Sequence, residues 1–301
     1  MQLVAELERR LARLHETRPE LDERSIALQG ALIQARIEML EPDLPRLRLA
    51  PEVAAERLRS RTPLLHQSPA FVDVGWAAGL FGRLVDVAVE HAHQSEARLD
   101  ALVTALQEGL LDTESLFLEA FVQHREHVAH IAAEADVDPD LLSSLAWLAV
   151  APLLAGYARQ LQPYLDRGLA SSGWDRGYCP VCGAWPGFVE LRGLQRQRWL
   201  RCLSCGAGWP APPACFYCGG DAPLALGLED DPRFGLEACD RCQGYLKSVR
   251  AFDPSPTELL PLDDLASVHL DALAHERGYA RPATPAFPLE LADDALLVHH
   301  L

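Results

Sequence analysis

Cys179-Pro180-Val181-Cys182, Cys202-Leu203-Ser204-Cys205, Cys215-Phe216-Tyr217-Cys218 and Cys239-Asp240-Arg241-Cys242 hold all eight cysteines of the chain, inside a 64-residue window of its 301 residues. A two-residue gap folds the backbone into a tight knuckle and brings both sulfurs within reach of one ion, at about 2.3 Å. The pairs are separated by 19, 9 and 20 residues. Two long intervals around a short one predict two similar units in tandem, each making a tetrathiolate site from its own two pairs. An interleaved, cross-braced pairing satisfies the same count and stays open. Four thiolates suit zinc or iron, and the spacing does not choose between them.

Gly183, Gly206 and Gly219 directly follow the second cysteine of their pairs, and Gly244 comes two residues after Cys242. Glycine accepts the positive φ that lets backbone N–H groups face the sulfurs. Between the knuckles, residues 187–191 and 198–201 read as short strands around a turn at Gly193. Residues 223–226 and 234–237 read the same way around Glu229-Asp230-Asp231-Pro232. The window therefore reads as a double ribbon of the rubredoxin or zinc-ribbon type, too small to fold on an apolar core alone.

Upstream of the window the pattern is helical. Leu3, Leu7, Leu11 and Leu14 repeat at helical spacing, as do Ile26, Ile33, Ile37 and Leu40, before Glu41-Pro42-Asp43-Leu44-Pro45 interrupts. Pro51 opens a short helix to Arg59, and another runs from near Ala70 to about Ala92. Ser95 is expected to cap a helix to Leu110. Asp112 is expected to cap one carrying Leu116, Phe117, Ala120, Phe121, His124, Val128 and Ile131 on one face, and Asp138-Pro139 to open a last helix to Leu161. His124, His127 and His130 fall on that Asp112 helix. Three-residue spacing turns each by about 60° from the last, so they read as structural rather than as a metal site.

The expected organisation is α+β: an all-α helical domain over 1–170, a first rubredoxin-like metal ribbon over 171–212, a second over 213–252, and a C-terminal helix and tail over 253–301. The net charge of −16 argues against a general phosphate-backbone binder. Arg192, Arg196, Arg198 and Arg201, with Trp199 and Trp209 nearby, are the one local basic cluster that a nucleic-acid reading could use. The N-terminus lacks a basic start followed by an apolar run, and the apolar stretch from Leu141 to Gly156 falls short of about 20 residues, so a cytoplasmic protein without membrane insertion is expected. In a reducing compartment clustered thiols bind metal rather than pair as disulfides. The chain carries no phosphate loop, nucleophile elbow or dinucleotide fingerprint, and Asp263-Asp264 reads as a helix start, so an enzyme is not expected.

The four ordered pairs occur together with Cys242-Gln243-Gly244-Tyr245-Leu246-Lys247, Asp263-Asp264-Leu265-Ala266-Ser267, Leu270-Asp271 and Glu276-Arg277-Gly278-Tyr279-Ala280-Arg281. In this combination, over residues 179–281, the chain resembles the FdhE family of formate dehydrogenase accessory proteins. The resemblance implies a cytoplasmic, non-enzymatic, chaperone-like maturation factor for respiratory formate dehydrogenase. Its partner would be the catalytic subunit, a molybdenum, selenocysteine and iron–sulfur protein met before twin-arginine export, docked by the helical part, with no small-molecule substrate. It further implies iron, with zinc as the alternative, held by Cys179, Cys182, Cys202 and Cys205 in one site and by Cys215, Cys218, Cys239 and Cys242 in the other. Phe216-Tyr217 is bulkier than that family's pattern suggests for the third knuckle. A zinc-ribbon nucleic-acid binder or a general interaction scaffold is the alternative function, and self-association is left open.

Overall fold

Asp22, Asp73, Asp112 and Asp138 each accept a hydrogen bond from the backbone N–H three residues on, those of Ser25 (3.1 Å), Trp76 (2.9 Å), Ser115 (3.1 Å) and Leu141 (2.8 Å). Each carboxylate satisfies a donor left without an intrahelical partner and so fixes where a helix begins. The computed structural model describes residues 2–39, 42–91, 96–226, 231–282 and 286–292. The helices are α1 (Gln2–Thr17), α2 (Glu23–Glu38), α3 (Pro51–Arg59), α4 (Val74–His91), α5 (Glu96–Gln107), α6 (Thr113–Phe121), α7 (Arg125–Glu134) and α8 (Pro139–Ser172). The N-terminal half is helical, as expected. Leu40 and the Ser95 cap lie outside the described residues.

The chain divides into two compact units, one holding residues up to Pro45 and Pro69–Gly156, the other Arg46–Ser68 and Tyr157–Glu290. In the first, Leu7, Leu14, Ile26 and Ile33 are buried, and Phe81 of α4 meets Phe117 of α6 edge to face at 5.5 Å. Two boundaries differ from expectation here. α4 begins at Val74 because Asp73 caps it, leaving the buried Ala70, Phe71 and Val72 before the helix. The helix expected from Asp112 through Ile131 is two helices. Gln123, at φ +65°, ends α6 in a left-handed turn, and His124 becomes the N-cap of α7 rather than a member of the apolar stripe.

α8 runs past the expected Leu161 to Ser172, through both Pro152 and Pro163. By length and composition its Pro139–Leu169 stretch could cross a membrane, and most of that stretch is buried inside the protein, as in a core helix. In the second unit its later turns carry two polar anchors. The Gln160 side chain accepts from the Leu47 N–H at 2.8 Å, and the Tyr164 hydroxyl donates to the Leu49 carbonyl at 2.5 Å.

Both ribbons of the second unit belong to one six-stranded sheet, with strands β1 (Pro186–Arg192), β2 (Gln197–Cys202), β3 (Gly208–Pro210), β4 (Leu224–Leu226), β5 (Phe234–Cys239) and β6 (Gly244–Ala251) in the order β3-β2-β1-β6-β5-β4. Pairing is antiparallel within each ribbon, while β1 and β6 pair in parallel from Phe188↔Lys247 to Arg192↔Ala251. Equivalent strands of the two ribbons therefore point the same way. The knuckles precede β1 and β4 and follow β2 and β5, so both cysteine clusters lie at one end of the sheet. A 3₁₀ turn (Thr257–Leu259), α9 (Leu260–Ala266) and α10 (Val268–Glu276) follow β6, and α10 packs on β5 and β6. The parallel seam makes one module of two repeats, a feature that local strand patterns do not encode.

Candidate metal centres

Three knuckles are built alike. The glycine after the second cysteine donates its N–H to the carbonyl of the first: Gly183 to Cys179 (3.0 Å), Gly206 to Cys202 (3.1 Å) and Gly219 to Cys215 (2.9 Å). In return Cys179, Cys202 and Cys215 donate to Ala184, Ala207 and Gly220. This closure needs a left-handed residue, and Gly183, Gly206 and Gly219 supply it at φ +75°, +75° and +66°. The fourth knuckle uses Gln243, at φ +55°, with its side-chain amide donating to the Asp240 carbonyl at 2.6 Å. Gly244 serves a different purpose: a Cβ there would come within 2.5 Å of the Tyr217 ring.

The sulfurs group by consecutive pairs, not across them. Cys179, Cys182, Cys202 and Cys205 form one cluster and Cys215, Cys218, Cys239 and Cys242 another, all four sulfurs of each within 4.8 Å of one another. In the first, Cys179–Cys205 is 3.5 Å and Cys182–Cys202 3.6 Å; in the second, Cys215–Cys242 is 3.8 Å and Cys218–Cys239 3.9 Å. A disulfide needs about 2.05 Å. Tetrahedral bonds of about 2.3 Å place sulfurs about 3.8 Å apart. The donor sets therefore fit a single four-coordinate ion apiece, and zinc and iron fit equally.

Surroundings distinguish the clusters. All four cysteines of the first are buried. The backbone of Leu64 and Leu65 donates to the Pro180 and Val181 carbonyls at 2.8 and 3.0 Å, strapping residues 63–68 over the first knuckle. A Cβ on Gly183 would lie 2.9 Å from Phe287, and one on Gly206 2.3 Å from Thr257. The buried Arg201 donates to the Ser255 carbonyl at 2.8 Å, and its attraction to Cys202 and Cys205 favours their thiolates. In the second cluster Cys218 and Cys242 are exposed.

Thiol acidity follows the same division. In the first cluster, hydrogen bonds among the sulfurs and burial push Cys182 up, and burial pushes Cys205 up. Burial resists ionisation of Cys202 as well, yet bonds from the other three sulfurs hold it well below the usual thiol value. In the second, burial is outweighed at Cys239 by the N–H groups of Cys242 and Arg241, which hold it down at about 7. Cys242 is pushed up to about 12, first by burial. Loading an ion at either cluster expels the thiol protons.

Behind the fourth knuckle lies an ionic cluster that the spacing of cysteines does not announce. Lys247, the only lysine, is fully buried on β6 with its Nζ 2.7 Å from both an Asp264 and an Asp271 carboxylate oxygen. Asp271 also accepts from the Tyr245 hydroxyl at 2.7 Å and from Arg281 at 3.2 Å. Burial opposes its charge, but Lys247 prevails and holds Asp271 below the usual carboxylate range. The Tyr279 hydroxyl donates to Asp240 at 2.5 Å, and the Ala280 N–H to the Gln243 carbonyl at 2.9 Å. Segments that carry the family resemblance are thus one contact network bracing the knuckle. Asp263-Asp264 lies near the start of α9, with Asp263 in its first turn, but neither side chain caps the helix. Buried Asp263 accepts from Ser255 at 2.6 Å and pairs with Arg233.

Three of the four clustered arginines are used internally. Arg192 pairs with Glu190 and lies 4.5 Å over the Trp199 ring, Arg198 grips Glu237 through both nitrogens at 2.9 and 2.7 Å, and Arg201 is buried.

Residues 215–287 match the family model of the FdhE C-terminal domain. Protein FdhE of Escherichia coli O127:H6 and that of Escherichia coli K12 are each 29% identical over 268 residues, covering 86% of this chain and 80% of the relative. The crystal structure of the FdhE protein from Pseudomonas aeruginosa superposes with a TM-score of 0.53 at 23% identity, covering 95% of both chains, and so shares the fold. The second cysteine cluster, β5, β6 and the C-terminal bracing network fall within the segment matched by the FdhE C-terminal domain, and the chain as a whole is similar to FdhE proteins.

Proposed function

We propose that the protein is an accessory factor for the maturation of respiratory formate dehydrogenase, acting in the cytoplasm on the catalytic subunit before export and catalysing no reaction of its own. The similarity to FdhE proteins is the observation that carries this reading, together with two tetrathiolate clusters on one sheet. Cys179, Cys182, Cys202 and Cys205 would hold one ion and Cys215, Cys218, Cys239 and Cys242 the other. The ions are iron on this reading, with zinc as the alternative. Iron would supply one-electron chemistry and zinc a fixed shape. The chain itself contributes the knuckle N–H groups that disperse thiolate charge and the Lys247 network that braces the exposed cluster.

The nucleic-acid reading loses its main support, because Arg192, Arg198 and Arg201 are engaged by Glu190, Glu237 and Ser255. The test of the accessory role is deletion of the gene in its own host, followed by formate dehydrogenase activity and pull-down of the catalytic subunit with tagged protein. The expected result is loss of activity on deletion, restoration by wild type, and capture of the subunit. Full activity in the deletion strain overturns the role. Metal analysis and an absorption spectrum after purification without air decide the ion: a colourless zinc protein removes iron.

A further inference from the structure

The corner between α6 and α7 closes through two backbone bonds. The Gln123 N–H donates to the Ala120 carbonyl at 3.2 Å and the His124 N–H to the Glu119 carbonyl at 2.9 Å, around the left-handed Gln123. This is a Schellman closure, which brings the side chain three positions before the helix end against the one just beyond it. That contact is ordinarily apolar, but here its two members are Glu119 and His124. The first turn of α7 then adds His127. Glu119 Oε2 lies 2.9 Å from His124 Nδ1 and 3.0 Å from His127 Nδ1, with the imidazole rings at 82° and their centroids 5.4 Å apart. Helical spacing alone would have spread the histidines. The break at Gln123 gathers two of them, and His130 instead lies 3.4 Å from Glu134.

We propose that Glu119, His124 and His127 form a third metal site, of nitrogen and oxygen donors, for zinc(II). The three ligand atoms lie within 4.8 Å of one another. Zinc bonds of about 2.0–2.1 Å in a tetrahedron separate neighbouring ligand atoms by about 3.3 Å. The carboxylate therefore moves back a few tenths of an ångström to admit the ion, and Glu119 Oε2 exchanges two imidazole contacts for one metal bond. Two imidazoles and a carboxylate form a three-ligand set that leaves a fourth position to water. His127 is 65% exposed and His124 36%, so that position faces solvent and the ion exchanges readily. Borderline donors of this kind suit zinc and select against calcium and magnesium. The site lies on the helical unit and shares no residue with the cysteine clusters.

The test uses the full-length protein with both cysteine clusters loaded with zinc, dialysed against micromolar free zinc and assayed for zinc per chain. Wild type is expected to hold a third equivalent that EDTA strips first. H124Q/H127Q is expected to lose that equivalent while keeping the other two, and E119Q to bind it at least tenfold more weakly. H130Q/E134Q and H299Q/H300Q, which remove other histidines, are expected to keep it. Thermal unfolding in EDTA serves as the folding check for each variant. A wild type that stops at two equivalents overturns the site, as does a third equivalent that survives in correctly folded H124Q/H127Q.

Discussion

The two cysteine clusters use the same knuckle and the same sheet end, yet the first is sealed under the 63–68 strap and Phe287 while the second leaves Cys218 and Cys242 in solvent. Identical local geometry in unlike surroundings separates two properties that sequence repeats fuse. Holding four sulfurs together is a property of the knuckle. Holding on to an ion, and being reachable by another molecule, are properties of what packs around it. The first cluster is built as a core, the second as a surface backed by salt bridges.

The comparison breaks most visibly at the ligands. A structural tetrathiolate ion carries an apparent binding energy of about 10–16 kcal/mol at neutral pH, and where the site forms only on folding this is folding energy. C182S, inside the sealed cluster, is expected to leave the unit from Tyr157 to Glu290 without a stable fold. C242S is expected to yield folded protein that has lost one ion and keeps the other. Metal content and limited proteolysis of the pair check this, and equal damage from both substitutions would show that burial does not divide the clusters.

Next in size is the brace of the second cluster. K247M leaves Asp264 and Asp271 without their buried cation; removing one member of such a pair costs about 3–5 kcal/mol, and the partial exposure of both aspartates places this one near 3. The urea midpoint reads it directly. The same brace is sensitive to acid. Asp271 titrates below its unfolded value of about 3.9, so its contribution is complete above that pH and is lost as pH falls through the folded value. Below about pH 4 wild type is expected to lose stability more steeply than D271N. Both proteins share the acid-labile clusters, so the difference in slope isolates Asp271.

Glycine substitutions sharpen the contrast at smaller scale. Gly206 and Gly219 occupy equivalent knuckle positions at φ +75° and +66°, so an alanine at either is strained by about 1–2 kcal/mol. At Gly206 the new methyl also meets Thr257 at 2.3 Å, whereas at Gly219 nothing lies within 4 Å. Overpacking adds roughly 1–3 kcal/mol. G206A is expected to lose roughly 2–5 kcal/mol and G219A only the strain, measured as the difference between two melting curves at equal metal content.

Cysteine spacing and helical periodicity made the fold class legible, because both are local. The knuckles, the tandem units and the helical half follow from residues a few positions apart. What escaped is non-local or depends on one residue's φ. The parallel β1–β6 seam joins residues about 60 apart in sequence, a pairing no strand pattern specifies. The Lys247 network was present in the sequence as motif residues without a stated purpose. Its one signal is a lone lysine in an arginine-rich chain. The break at Gln123 escaped because glutamine rarely takes the left-handed turn, so the apolar stripe seemed to run on through His124.

Gln243 offers the smallest and most exacting test of the knuckle comparison. It does what glycine does in the other three, and its φ of +55° costs about 1–2 kcal/mol relative to glycine. Its amide returns part of that through the 2.6 Å bond to the Asp240 carbonyl, a bond worth about 0.5–1.5 kcal/mol. The Gln243 carbonyl accepts from the Ala280 N–H at 2.9 Å, so the glutamine also ties the fourth knuckle to the chain beyond α10. Q243G relieves the strain and removes the bond, and is expected to shift stability by less than about 1 kcal/mol. Q243A keeps the strain and loses the bond, and is expected to be destabilised by about 1 kcal/mol. If glycine stabilised the protein by the full strain energy, the amide bond would contribute nothing, and the fourth knuckle would differ from the others only by the accident of its side chain.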